Sequence, residues 1–414
     1  MAGAKRRADA NRLLRWPWLA AAVSLLVLLV VLAPTRRTVE RWLVAQPYGP
    51  ELHWWWLELR MPPLSPRDAG HGGPATEIQL FDPVGLAQDA SGHVYLSDRG
   101  RATRGRYIWQ IESDGSARVL AGAGRRGSPA AGTAAVDAPL GSPEGVAVDA
   151  AGRLYFADSW NHVVMRVDTD GRLTRIAGNG EPGDGGDGGP ASEAQLRQPY
   201  DVRLDAQGNL YIADFGNHRV RLVSSGGVIR TAAGTGEPGY TGGGGPAPLA
   251  QLNGPYGVFI APDGELVIAD SLNHVIRRVD GAGAIHTIAG TGVAGHSGDG
   301  GAAVRAGLDT PQALWVDRFG RVFIGDEHNH AIRVVGADGR IDTWMGNGSP
   351  GQAAPGANAR TAPLNDPENL LLRSDGSLLV TDGDNRRVLR VNPEGTVEIF
   401  AGRGAAPSDP PGSE

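Results

Sequence analysis

One motif returns at a fixed interval. Tyr211-Ile-Ala-Asp214, followed by Asn217-His218, has counterparts at Asp158, Asp270, Asp326 and Asp382, each step being 56 residues. A divergent copy ends at Asp98, 60 residues before Asp158, and its four extra residues fall just after that Asp, in the stretch from Arg99 to Arg106. Each of these Asp residues lies 15 residues after a Pro (Pro83, Pro143, Pro199, Pro255, Pro311, Pro367). Glycines Gly122, Gly178, Gly234, Gly290 and Gly346 each precede the next of these prolines by 21 residues. Composition bias does not hold three landmarks in register, so the chain is a tandem repeat, and the repeat decides the fold.

Within one unit, Val202 to Asp205, Leu210 to Ala213, Arg219 to Val223 and Val228 to Ala232 are short apolar or alternating runs separated by turns rich in Gly, Asp and Asn. That pattern predicts four consecutive antiparallel strands, here a to d with a innermost. No stretch of the repeats sustains a helical period. Six such units predict an all-β, six-bladed β-propeller, which leaves only short, protected sheet edges. Antiparallel connectivity puts the a-b and c-d turns at one end and the b-c and d-a loops at the other. The d-a connections are about 20 residues long, a length usually associated with function. The b-c and d-a end is therefore the expected working face.

The Asp-x-x-Asn-His turn followed by alternating Arg and aliphatic residues (Arg219-Val-Arg221, Val275-Ile-Arg277, Ala331-Ile-Arg333) resembles NHL-repeat proteins over Gly70 to Gly404. The first copy lacks Asn-His, and the last carries Asn385-Arg386. A second signature, Gly185-Gly-Asp187-Gly-Gly-Pro190-Ala191, is echoed at Gly72, Gly244 and Gly298 and resembles an insertion seen in a subset of NHL proteins, teneurin-like propellers among them. The resemblance implies a six-bladed propeller that serves as an interaction platform, some members being sensors outside a membrane and others RNA binders. It also implies a minority of related lyases and lactonases.

Residues 1–15 are basic, with Lys5, Arg6, Arg7, Arg12 and Arg15, and 16–33 are apolar apart from Pro17 and Ser24, long enough for a single-pass helix. A basic flank favours a cytoplasmic N-terminus, which would place the propeller in the periplasm or outside the cell. A cleaved signal peptide is the competing reading, disfavoured by Pro34 directly after the run. Residues 34–69 form a Trp- and Pro-rich connector whose Trp54-Trp55-Trp56 suits a membrane interface or an extra edge strand pairing with the propeller over 70–404. The tail, 405–414, has the composition of disorder. With no Cys, thiolate chemistry is excluded, and a net charge of −6 despite the basic N-terminus disfavours nucleic acid as a partner.

Asp and Asn at the same place in every blade are expected to bond their own turns rather than ligate metal. Gly-Asp-Gly-Gly is either a loop that needs positive φ or an anion or cation cradle. Function belongs where the repeats disagree: the residues after each landmark Pro and the b-c loop tips. Trp160, Tyr200, Phe215, Tyr256, Leu272, Gln312, His328 and Asp384 then form a face for a protein, peptide or envelope polymer, with no catalytic residue and no cofactor. The alternative is a hydrolase or lyase of lactonase type, in which Glu144, Asp201, Glu368 and Asn369 would hold Ca²⁺ at the channel mouth.

Overall fold

The computed structural model describes residues 65–101 and 104–404. The apolar segment 16–33, the Trp54 cluster and the tail 405–414 lie outside the described residues, among which no helix is long and apolar enough to cross a membrane. The described chain forms six antiparallel sheets of four strands, one of them extended by a two-residue fifth strand at Gly301–Ala302. In the third blade the strands are Pro199–Leu204, Leu210–Asp214, Arg219–Val223 and Ile229–Ala233. The inner strand thus begins at the landmark Pro, three residues before the alternating pattern that marks it in the sequence. Pro199 pairs with Asp214, a place where its missing N–H is no loss, and the register shifts one residue later.

The Asp that ends each b strand is fully buried. Asp214 accepts from the Arg197 N–H at 2.7 Å, from Asn217 Nδ2 at 2.8 Å and from Arg221 at 3.2 Å. The Arg197 N–H belongs to the segment entering the same blade, so the carboxylate ties the first strand's approach to the second strand's end. Asn217 also donates to the Gly183 carbonyl at 2.6 Å, drawing in the d-a loop. Asp158, Asp270, Asp326 and Asp382 repeat the arrangement with their own Asn. Burial raises Asp214, Asp270 and Asp326 to about 6 against these donors. The His of the motif takes a left-handed backbone, φ 53° at His218, and its Nδ1 accepts the Gly254 N–H of the next blade at 3.0 Å. His162 and His274 latch onto Gln198 and Thr310 in the same way.

Most of each d-a connection is a wedge between blades rather than a free loop. Its single 3-10 turn buries a repeated Ala, a second small or aliphatic residue and a Leu, such as Ala191, Ala194 and Leu196, in a cluster shared with Tyr155 of the second blade and Ile212 of the third. The Gly178 N–H, at the end of the second blade's outer strand, donates to the Ala191 carbonyl. A Cβ on Gly178 would stand 2.2 Å from the His162 carbonyl oxygen, and φ is +83°, so glycine is required there. The ring closes by the same contact. Gly402 N–H donates to the Ala75 carbonyl, Arg403 N–H to Ile78, and Ala75, Ile78 and Leu80 share a cluster with Trp109 of the first blade and Leu379 of the sixth.

Two outcomes follow from these junctions. Leu80→Ala, at the closing junction, is expected to cost as much as Leu196→Ala at an internal one, about 2–5 kcal/mol each by urea unfolding; a neutral Leu80→Ala would mean the ring is held shut elsewhere. Burial holds His218 below its ordinary value of 6.5, followed by the Arg197 charge, with Glu237 opposing. A depressed folded pKa contributes stability that is present above the unfolded value and lost as pH falls. His218→Asn, which tolerates the left-handed backbone, should therefore flatten the pH dependence of stability below about 6.5 relative to the parent chain. An unchanged slope would rule out the latch.

Candidate functional site

The b-c end of the central channel is built by residues that differ from blade to blade. Glu144, Tyr200, Tyr256, Gln312 and Glu368 follow the landmark prolines, and Arg99 reaches in from the divergent b-c loop of the first blade. The guanidinium makes a two-pronged contact with Glu368, Nη2 to Oε1 at 2.7 Å and Nη1 to Oε2 at 3.0 Å, and its Nε donates to Asp82 at 2.7 Å. Glu144 stands 3.7 Å away, and Tyr256 OH donates to Glu368 at 3.0 Å. Charged partners on several sides hold Arg99 well above its ordinary pKa despite burial. Beside it, Gln312 donates to Glu327, which also faces Asp366. Burial first, then the Asp366 charge, raises Glu327 above the ordinary carboxylate range, which favours its protonated form.

The four residues considered for calcium do not form a cage. Glu144 and Glu368 face a guanidinium that already supplies their positive partner. Asp201 accepts the Val202 and Val258 N–H groups and pairs with Arg203, while Asn369 Oδ1 accepts the Leu370 N–H. Hard-oxygen coordination needs six to eight free ligands, roughly, around one point. Among the described residues no group of three or more His, Asp or Glu side chains is placed to hold a metal ion.

The expected binding face divides in two. Trp160, Leu272 and His328 are exposed tips, Trp160 being 51% and Leu272 44% exposed. Arg126, from the d-a wedge, stacks on Trp160 at 3.7 Å. Tyr200, Phe215 and Asp384 are half-buried, and Tyr256 and Gln312 are buried in the channel mouth. Tyr200 joins the two groups, stacking on Tyr256 at 4.5 Å and packing on Phe215 at 4.7 Å. Asp384 pairs with Arg101 of the same divergent loop that carries Arg99. Sequence reading passed over Arg99, Arg101, Glu327 and Asp366. The available signal was the residue directly after each repeat Asp, which is Arg99, Ser159, Phe215, Ser271, Glu327 and Gly383 in turn.

The two ends of the channel differ in chemistry. At the a-b end a recess of about 260 Å³ is lined mostly by apolar groups, among them Phe259 and Trp315 with ring centroids 5.0 Å apart, together with Gln88, Asp89 and Arg203. The b-c end encloses only about 10 Å³ below Tyr200, Tyr256 and Gln312. The mouth above it offers a charged, aromatic surface.

With that geometry in place, comparison with known proteins agrees with the repeat. A family model described as "Teneurin NHL domain" matches residues 293–413, and one described as "NHL repeat" matches residues 196–221. The chain is similar to Teneurin-m of Drosophila melanogaster, 28% identical over 303 residues, covering 66% of this chain and 10% of that protein. It is also similar to NHL repeat-containing protein 2 of Bos taurus, 26% identical over 300 residues, covering 64% of this chain and 41% of that protein. The chain thus spans well under half the length of either relative. Among solved structures, an auxiliary nutrient binding protein from Bacteroides thetaiotaomicron shares the fold with a TM-score of 0.57 at 14% identity, over 80% of this chain and 72% of that one.

Removing the guanidinium tests the account of the mouth. Arg99→Gln leaves Asp82, Glu144 and Glu368 without their guanidinium, and burial holds Glu144 and Glu368 above their ordinary carboxylate values. Such groups keep their stability at low pH and lose it as pH rises. The variant is expected to lose about 3–5 kcal/mol in urea unfolding at neutral pH and clearly less near pH 5. A loss independent of pH would show that Arg99 acts through packing alone.

Proposed function

We propose, from the premise that this chain is an NHL-repeat β-propeller, that it is an interaction platform which takes a protein or peptide partner on its b-c end. The observation that carries this reading is the layout of that end: exposed Trp160 and Leu272 surround a half-buried aromatic step, Tyr200 and Phe215, next to the acidic groups of the mouth. Aromatic anchors beside a charged centre are what protein interfaces favour, and Trp and Tyr contribute most when desolvated. The acidic mouth, with Asp82, Glu144, Asp366 and Glu368 against Arg99 and Arg101, favours a partner that brings a basic group to the centre and apolar groups to the rim. The interaction role that the NHL resemblance implies agrees with this. Arg99 is the partner of Glu368 and stands 3.7 Å from Glu144, and Asp201 pairs with Arg203, so the platform reading is preferred to a calcium-dependent hydrolase.

In this proposal the apolar segment 16–33, with its basic flank, holds the propeller at the cell membrane, and the b-c face works on the side away from the cytoplasm. The d-a connections contribute only where they border the b-c tips, as Arg126 does against Trp160.

Photo-crosslinking tests the assignment of the face. A benzophenone-bearing residue in place of Leu272, on the b-c end, is compared in intact cells with one in place of Phe319, 63% exposed on an a-b turn. The expected outcome is a discrete adduct from position 272 whose yield drops several-fold with Trp160→Ala. Adducts that form equally from position 319, or that ignore Trp160→Ala, would reject it.

A further inference from the structure

Laying the six blades over one another reveals a three-residue set that is complete in two blades and lacks one member in a third. In the third blade Arg221, on strand c, is fully buried and its Nη2 donates to Asp187 of the Gly-Asp-Gly-Gly loop at 2.6 Å. Thr231, opposite Arg221 on strand d, donates its N–H (2.9 Å) and its hydroxyl (2.7 Å) to the other oxygen of Asp187. Arg333, Asp299 and Thr343 repeat this in the fifth blade, with Arg333 to Asp299 at 2.6 Å. The second and sixth blades drop the charges together: Met165 stands at the Arg position with Ala131 at the Asp position, and Leu389 with Pro355. In the first blade Trp109 replaces the Arg, and His71 Nδ1 accepts the Val119 N–H in place of the carboxylate.

The fourth blade keeps Arg277 and Thr287, paired across strands c and d, but has Gly243 where the Asp belongs. Arg277 is 1% exposed, and its Nη1, the atom that in Arg221 and Arg333 donates to the strand-b Asp, is buried without a hydrogen-bond partner, while its Nε is unpartnered as it is in those two arginines. Arg221 and Arg333 each contact two carboxylates, whereas Arg277 has only Asp270, at 3.6 Å. A Cβ on Gly243 would stand 3.9 Å from Arg277 Nη2, so the guanidinium faces the missing side chain. Tyr240, 44% exposed, covers the place: its ring lies 5.0 Å from the guanidinium and its hydroxyl bonds Thr287 Oγ1 at 2.7 Å. A neutral phenol supplies no charge to match Arg277. The position also opens to solvent, since Asp187 and Asp299 are 43% and 49% exposed in the blades that have them.

We infer that the fourth blade holds a carboxylate socket, formed by the Arg277 guanidinium with the N–H and hydroxyl of Thr287, which receives a carboxylate supplied from outside the repeat. One oxygen pairs with Arg277 as Asp187 does with Arg221, and the other displaces the Tyr240 hydroxyl and accepts from Thr287. Tyr240 is the gate, and ligand entry requires it to swing outward. The chemistry is that of a single compact carboxylate, borne by a small acid or by an Asp side chain of a peptide. This site is separate from the b-c mouth and does not depend on the function proposed there.

The test follows the Thr287 backbone amide by NMR in the full-length chain, titrated with Ac-Gly-Asp-Gly-NH2, its Asn counterpart and acetate. A saturable shift of the Thr287 signal with the Asp peptide and none with the Asn peptide is the expected result. A matching shift with acetate would assign the source to small acids, and a shift with the Asp peptide alone would assign it to a peptide. Gly243→Asp, whose backbone φ is ordinary and whose Cβ has room, fills the socket from within. It should abolish the response and raise the melting temperature by a few degrees. Arg277→Met, the residue that the second blade uses there, should also abolish it. The inference is overturned if the Thr287 amide does not move with either carboxylate, or if Gly243→Asp or Arg277→Met responds like the parent chain.

Discussion

The buried carboxylate at the end of each b strand is the constraint on which the propeller depends. Asp214 accepts from a backbone N–H ahead of strand a, from the Asn of its own turn and from the strand-c arginine. One group thereby fixes the approach to strand a, the b-c turn and strand c relative to one another. Burying it raises its pKa, so the donors around it have to be supplied in full or the charge would be lost. This explains why Asp and Asn recur at one interval while the strand side chains around them vary among Val, Ile, Leu and Phe. A strand tolerates substitutions of similar shape, and a satisfied buried carboxylate does not.

The same economy of form governs the junctions between blades. Each is a wedge of a 3-10 turn with a buried Ala and Leu, a positive-φ glycine facing a carbonyl, and, in the middle blades, a histidine latch. The contact of Gly402 with Ala75 closes the ring by reusing the internal junction, with the partner taken from the start of the array. The long connections are therefore chiefly architectural. Their length reflects the distance from the top of one outer strand, across the edge of the next blade, to the central channel. Gly-Asp-Gly-Gly belongs to that architecture: Asp187 and Asp299 pair with buried arginines, and the glycines around them adopt positive φ.

Much of this was legible in the sequence because it is periodic. Six blades, four strands each, the structural role of the Asp and Asn, and the b-c end as the variable one all follow from register. The inner strands were read three residues short, because Pro199 pairs with Asp214 and the register then slips at Tyr200, which breaks the alternation. The role of Arg99 was not legible, since its partners are Asp82, ahead of the first inner strand, and Glu368 of the sixth blade, and nothing local to the four-residue insertion fixes where its side chain goes. Glu327 and Asp366 were missed for the same reason: they meet only when the fifth and sixth blades are side by side. Tyr256 and Gln312 follow their prolines and are buried at the channel mouth, where residues that open the inner strand are expected. The incomplete set at Gly243 was present in the register, but its meaning needed the Arg221 and Asp187 contact to be seen first.

Positions that repeat build the ring, and exposed positions that differ are free to bind. Saturation mutagenesis of the full-length chain, read by resistance to protease, tests that division most directly. The account predicts that Asp98, Asp158, Asp214, Asp270, Asp326 and Asp382 are intolerant in every blade, while Trp160, Leu272 and His328 accept nearly any residue without loss of the folded state. If the exposed tips proved as intolerant as the aspartates, their side chains would belong to the architecture, and the b-c face would lose its claim to be a binding surface.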